Sequence, residues 1–200
     1  MKRTLTLIAA TLIVASSAFA ATYKSSDGKV SFSAPSIEYG NYKISAKGLA
    51  LLDASDKAKG ITLTAKADAV SVTFYSSKTG AKAGMMGALK AAEFTGNVTI
   101  TYKVMGADNV PVTTVAVAER AVYSGADNIM TLEGKVKKVT ITHTNPSVFS
   151  EPTVLEGDIA KINMKPNLGP DDFKFKVEAR EGVSKIEAHP IIKDEEDSEE

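Results

Sequence analysis

Apolar and polar residues alternate with a period of two along most of this chain. Val30, Phe32 and Ala34 are separated by serines, and Tyr42, Ile44 and Ala46 by Lys43 and Ser45. The same rhythm carries Ile61, Leu63 and Ala65, then Val70, Val72 and Phe74. It returns in Val98, Ile100, Tyr102 and Val104, in Val139 and Ile141, and in Phe173, Phe175 and Val177. Successive strand side chains point to opposite faces, so each run has one dry face and one face of Lys, Ser and Thr. That pattern predicts antiparallel strands, wet on one side only. Lys43, Lys66, Lys103, Lys137, Lys138, Lys174 and Lys176 fall on the wet parity and are expected to face solvent, where they discourage edge-to-edge pairing.

Turn residues punctuate the runs at Asp27-Gly28, Gly40-Asn41, Thr79-Gly80 and Glu133-Gly134. The tetrapeptide Gly-Ala-Asp-Asn occurs at 106–109 and again at 125–128, and both copies are expected to close hairpins. Val136 has the wrong parity relative to Val139 and Ile141; a bulge near Lys137-Lys138 or a turn there would restore it. Residues 81–92, rich in Ala with Met85, Met86 and two glycines, break the alternation and predict a short weak helix or a long connection.

Composition narrows the setting. Met1-Lys2-Arg3, the apolar stretch Leu5–Val14 and Ala18-Phe19-Ala20 form the pattern of a cleaved secretory signal peptide, with cleavage expected after Ala20. The apolar stretch is short of the ~20 residues a membrane span needs. An exported chain without cysteine has no disulfide framework and must be held by burial and backbone pairing. The formal net charge is zero. Setting aside the two leader cations and the six carboxylates of Asp194–Glu200 leaves 22 basic against 18 acidic groups over residues 21–193. So mild an excess gives no argument for nucleic acid. The expected organisation is a signal peptide at 1–20, one domain at 21–193 and a solvated acidic tail at 194–200.

Short phrases recur along the domain, among them Glu93-Phe-Thr-Gly-Asn-Val98, Thr131-Leu-Glu-Gly-Lys-Val136 and Val154-Leu-Glu-Gly-Asp158. Stacked β-structure leaves self-similarity of this kind. The segment from Glu119 through Tyr123, Gly125 and Leu132 to Val136 resembles the strand-turn-strand unit of the OstA-like (LptA-like) family of periplasmic lipopolysaccharide-transport proteins. Ala91–Ile100 resembles a second Gly-x-Val strand entry of that family, and Leu155–Asn163 its Gly-Asp-x-Ala-x-x-Asn strand. The likeness spans roughly residues 30–165 and leaves out 81–92 and the tail.

The resemblance implies an all-β, folded-over β-jellyroll, in which two antiparallel sheets form a V-shaped groove. It implies lipopolysaccharide or a similar anionic lipid as ligand, its acyl chains sheltered in the groove. It further implies periplasmic partners of the same fold, joined end to end by strand pairing, or copies of the chain itself. Joined to the alternation, it puts Ile44, Leu63, Val72, Phe74, Val98, Ile100, Tyr102, Leu132, Ile141 and Phe175 on the groove lining. Small dry-face residues such as Ala34, Ala46 and Ala65 suit an interior that receives hydrocarbon, because an unfilled void is costly while each buried guest methylene contributes ~0.8 kcal/mol.

The same ten residues would be ordinary core in a secreted structural or adhesive β-sandwich with no lipid ligand. An enzyme is the third reading, and the residues do not point to it. His143 and His189 lie far apart, there is no cysteine to complete an ordinary zinc site, and neither a nucleophile elbow nor a phosphate-binding glycine loop occurs. No cofactor, metal or catalytic residue is assigned. His143 shares the parity of Val139 and Ile141 just before Thr144-Asn145-Pro146, and is expected at a strand end. Glu119 and Arg120 are candidates for an ion pair.

Overall fold

The computed structural model describes residues 21–24, 30–56, 60–75, 89–106, 108–165, 168–169 and 171–191. The leader, residues 81–88 and the acidic tail lie outside them. The strands are β1 (Ala21–Lys24), β2 (Val30–Ala34), β3 (Ser36–Gly40), β4 (Lys43–Asp56), β5 (Ile61–Phe74), β6 (Leu89–Met105) and β7 (Pro111–Ser124). They continue with β8 (Ile129–Glu133), β9 (Val139–Thr144), β10 (Thr153–Gly157), β11 (Ile159–Asn163), β12 (Phe175–Glu178) and β13 (Lys185–Glu187). Every named pairing is antiparallel, and all thirteen strands belong to one hydrogen-bonded sheet.

β4, β5, β6 and β7 hold 14, 14, 17 and 14 residues, against a usual strand length of about 5–6. Each is interrupted at the same level. Register shifts fall between Lys47 and Ala50, Lys66 and Ala69, and Thr95 and Val98, the last facing Glu119 of β7. A bulge bends a strand, so three of them aligned across four strands crease the whole sheet. Gly48 and Leu49 have φ of +78° and +48°, and Gly96 and Asn97 +73° and +46°. A Cβ on Gly96 would lie 2.2 Å from Asp68 Oδ2. That carboxylate accepts a 2.9 Å hydrogen bond from Asn97 Nδ2, tying β5 to β6 at the crease.

Strand partners change across this line. β2 pairs with the second half of β4 and β3 with the first. β9 pairs with the first half of β7 and β8 with the second. The first wall is thus β1, β2, the halves of β4–β7 at 50–56, 61–67, 98–105 and 111–118, then β9, β10 and β13. The second wall is β3, the other halves of β4–β7, then β8, β11 and β12. The two walls expected from the sequence are two halves of one creased sheet. The chain has the folded-over β-jellyroll architecture.

The alternation is realised strand by strand: β2, β9 and β10 read buried-intermediate throughout. Both Gly-Ala-Asp-Asn segments connect hairpins, between β6 and β7 and between β7 and β8. The parity break at Val136 is a turn, with Val136 exposed between β8 and β9.

Four expectations are corrected. Residues 89–92 are the start of β6, not helix or loop; their alternation is hidden because alanines replace both its large and its polar members. Tyr42 is exposed in the turn before β4, where its φ of +59° takes it out of the ladder. Phe173 precedes β12 and is also exposed. Arg120 pairs with Glu93 and Glu133 on the neighbouring strands at 2.8 and 3.1 Å, not with Glu119. Adjacent strand residues face opposite ways, so Glu119 instead accepts the backbone N–H groups of Lys135 and Val136. Those bonds hold its carboxyl below the ordinary glutamate range.

Candidate functional site

Four long cross-strand rows line the space between the walls, with a crease-side set that pairs Ala50 with Ala67 and Val98 with Ala118. In the first wall one row runs Phe32, Leu52, Ala65, Ile100, Ala116, Ile141, Leu155. In the second wall the rows run Ala46, Val70, Phe94, Ala121, Leu132, Ala160, Val177 and Ile44, Val72, Ala92, Tyr123, Met130, Ile162, Phe175. Large and small side chains mix within each row. Ile100, for example, stands between Ala65 and Ala116.

All ten residues assigned to the lining from sequence meet in one apolar cluster. Ile44, Leu63, Val72, Val98, Leu132 and Ile141 have no exposed surface, and Ile100 is 3% exposed. Phe74, Tyr102 and Phe175 are partly buried and pack against the same cluster. The sequence reading placed these side chains on an open trough, whereas the structure has the walls in contact and the interior closed to water. In the rows bulky residues stand beside alanines, and both are buried. The walls also meet at the two ends of the sheet. Tyr23 of β1 stacks on Tyr39 of β3 at 5.9 Å, and His143 of β9 meets Phe175 of β12 at 5.0 Å.

The fourth row, along the free margin of the first wall, changes character. It begins Val30, Ala54, Leu63 and Tyr102, and ends Thr114, His143, Thr153. Those last three are buried, at 3%, 4% and 8% exposure. Thr114 Oγ1 lies 2.9 Å from His143 Nδ1. Lys174 Nζ reaches across from the second wall to 3.4 Å from His143 Nε2. An ammonium only donates, so Nε2 is the acceptor and the imidazole proton sits on Nδ1, donated to Thr114. Burial, reinforced by the Lys174 charge, pushes the His143 pKa down to about 4. Burial also lowers Lys174, whose ammonium lies 5.7 Å from the centre of the Phe175 ring. Thr153 Oγ1 is buried without a hydrogen-bond partner.

Sequence reasoning put His143 at a strand end, where it is, and missed its neighbours. Their signal was available: Thr114 shares parity with Val112 and Ala116, and Thr153 with Leu155. Lys174 is exposed like the other outward lysines, and its ammonium still comes within 3.4 Å of His143.

No group of three or more His, Asp or Glu side chains positioned to hold a metal occurs among the described residues. No protein-family model matches the chain, and no curated protein matches it. A solved structure does. The chain is similar to LptH of Pseudomonas aeruginosa, the LptA-homologous periplasmic component of the conserved lipopolysaccharide transport device. The TM-score is 0.51 at 10% sequence identity, over 82% of this chain and 95% of that one. What the two share is the fold.

Proposed function

We propose that this chain is a periplasmic lipid-binding protein of lipopolysaccharide transport, a carrier and not an enzyme. Acyl chains would enter the apolar interior when the walls part along the free margin opposite the crease. The carrying observation is the interior itself: rows of mainly apolar side chains that run from β2 to β10 in one wall and from β4 to β12 in the other, in a fold similar to LptH. The margin is the natural opening, because the crease is carried through four continuous strands, while among the described residues no backbone hydrogen bond joins the two walls at the margin. A twelve-carbon chain brings roughly 9 kcal/mol of transfer free energy at ~0.8 kcal/mol per methylene. That is the scale available to offset separating the walls.

The sheet ends support a role in a stack. β1 and β3 at one end each pair with a single strand, as do β12 and β13 at the other. Such edges can add a strand from a neighbouring jellyroll or from a second copy. Ile186 continues the Phe32–Leu155 row onto β13 and is 64% exposed, so the apolar row runs out to that edge.

The closed interior favours a second reading, a structural β-sandwich without lipid. Photo-crosslinking residues at Ile100 and Ile141 separate the two. The carrier reading expects lipopolysaccharide to be captured in cells from these positions and not from their outward neighbours Thr99 and Thr140. Capture from Thr99 and Thr140 alone would refute it.

A further inference from the structure

We propose that Lys174 and Thr153, ordered by His143, form a binding site for a phosphate-type oxyanion at the margin of the interior. This deepens the carrier reading and rests on it: the oxyanion would be the headgroup of an amphiphile whose chain lies between the walls.

Three observations converge. The Lys174 ammonium faces a neutral acceptor and an aromatic ring, and among the described residues no carboxylate lies within ion-pair distance of it. An ammonium has three donors, and His143 takes one. The Thr153 hydroxyl is buried and unbonded, a condition uncommon in folded proteins and one that calls for a partner. It stands directly opposite His143 across the β9–β10 pair, while Thr114 occupies the other flank on β7. Directly paired residues place their Cβ atoms about 5 Å apart. Two free ammonium donors and one hydroxyl donor thus border the same corner. An uncharged guest would leave the ammonium without a counter-charge; an oxyanion supplies the charge and three acceptors together.

His143 is the positioning residue. Its Nδ1–H is held by Thr114, which fixes the ring and turns the Nε2 lone pair to Lys174. A bound anion cancels the Lys174 repulsion and favours the charged imidazole. The His143 pKa therefore rises on binding, which gives a readout inside the site.

The test uses the purified protein with three probes: dodecyl phosphate, dodecyl maltoside and inorganic phosphate. Affinity is read by calorimetry and the His143 titration by NMR, with exposed His189 as internal reference. The expected result is that dodecyl phosphate binds about tenfold more tightly than the maltoside, the scale of one charge-assisted hydrogen bond, and raises the His143 pKa. Lys174→Met removes that advantage and leaves maltoside affinity unchanged. Thr153→Val, which deletes a hydroxyl without a partner and keeps the shape, reduces it severalfold. Equal affinity for the two dodecyl ligands, unaltered by Lys174→Met, overturns the site and leaves the carrier reading standing. A His143 shift with inorganic phosphate, but no binding of either dodecyl ligand, supports the site and removes the carrier reading. No binding and no shift with any probe overturns both.

Discussion

Replacing Ile100 by aspartate asks whether the interior can open, and the answer can be read from the pH dependence of stability. Ile100 is 3% exposed, between Ala65 and Ala116, which are fully buried. Loss of the isoleucine alone removes about 1.5–3 kcal/mol of burial. The carboxyl then has two fates. If the walls stay shut it must remain neutral, with a folded-state pKa raised far above its unfolded value of about 3.9. The folded state then binds one proton more than the unfolded state, and stability falls by about 1.4 kcal/mol per pH unit above pH 4. Between pH 5 and pH 7 that amounts to roughly 2.7 kcal/mol beyond any change in the parent. If the walls part, the carboxylate is hydrated in the folded protein and the extra slope vanishes. Urea unfolding of parent and variant at both pH values measures the difference. The carrier reading predicts a folded variant, destabilised by about 2–4 kcal/mol, with parent-like pH dependence. An added slope near 1.4 kcal/mol per unit would refute the claim that the interior opens.

Three further outcomes follow from the same geometry. His143 is held near pKa 4 against an ordinary 6.5, so the folded state binds fewer protons between those values; its contribution is complete above pH 6.5 and is lost as pH falls towards 4, by at most about 3 kcal/mol. His143→Asn should flatten that part of the urea-stability profile, and an unchanged profile would show that the imidazole is not held neutral. Gly96→Ala should destabilise by about 1–3 kcal/mol in chemical denaturation, since it forces a Cβ onto a φ of +73° and against Asp68, and Asp68→Ala in the same chain should recover only the part due to the carboxylate, because the Asp68 Cβ itself lies 2.9 Å from the added atom. Arg120→Ala should cost less than about 1 kcal/mol, because both its ion pairs are solvent-screened; a larger loss in the same assay would mean that the pairs act as a unit.

Much of this architecture could be read from parity. Ile44, Leu63, Val72 and Ile141 were placed on the dry face by alternation, and each is fully buried. The hairpins at 106–109 and 125–128 followed from turn chemistry. The crease was not legible, because it depends on bulges at Gly48–Leu49, Ala67–Asp68 and Gly96–Asn97 lining up across four strands, and alignment belongs to pairing, not to any one segment. The start of β6 was hidden by alanines that have little periodic contrast. The polar corner was missed because Thr114, His143, Thr153 and Lys174 lie on three strands and a preceding loop, brought together only when β9 takes its place between β7 and β10. Parity was read for His143 alone; only pairing made the four neighbours.

The central claim is that hydrocarbon can replace wall-to-wall contact in the interior. Nuclear Overhauser effects between the acyl protons of a bound dodecyl amphiphile and isotope-labelled methyl groups of Ile100, Ile141 and Leu132 test it most directly. The account predicts contacts from all three, and hence from both walls at once. Contacts restricted to exposed methyls such as those of Val136 and Ile186, with the three interior residues unperturbed, would contradict it.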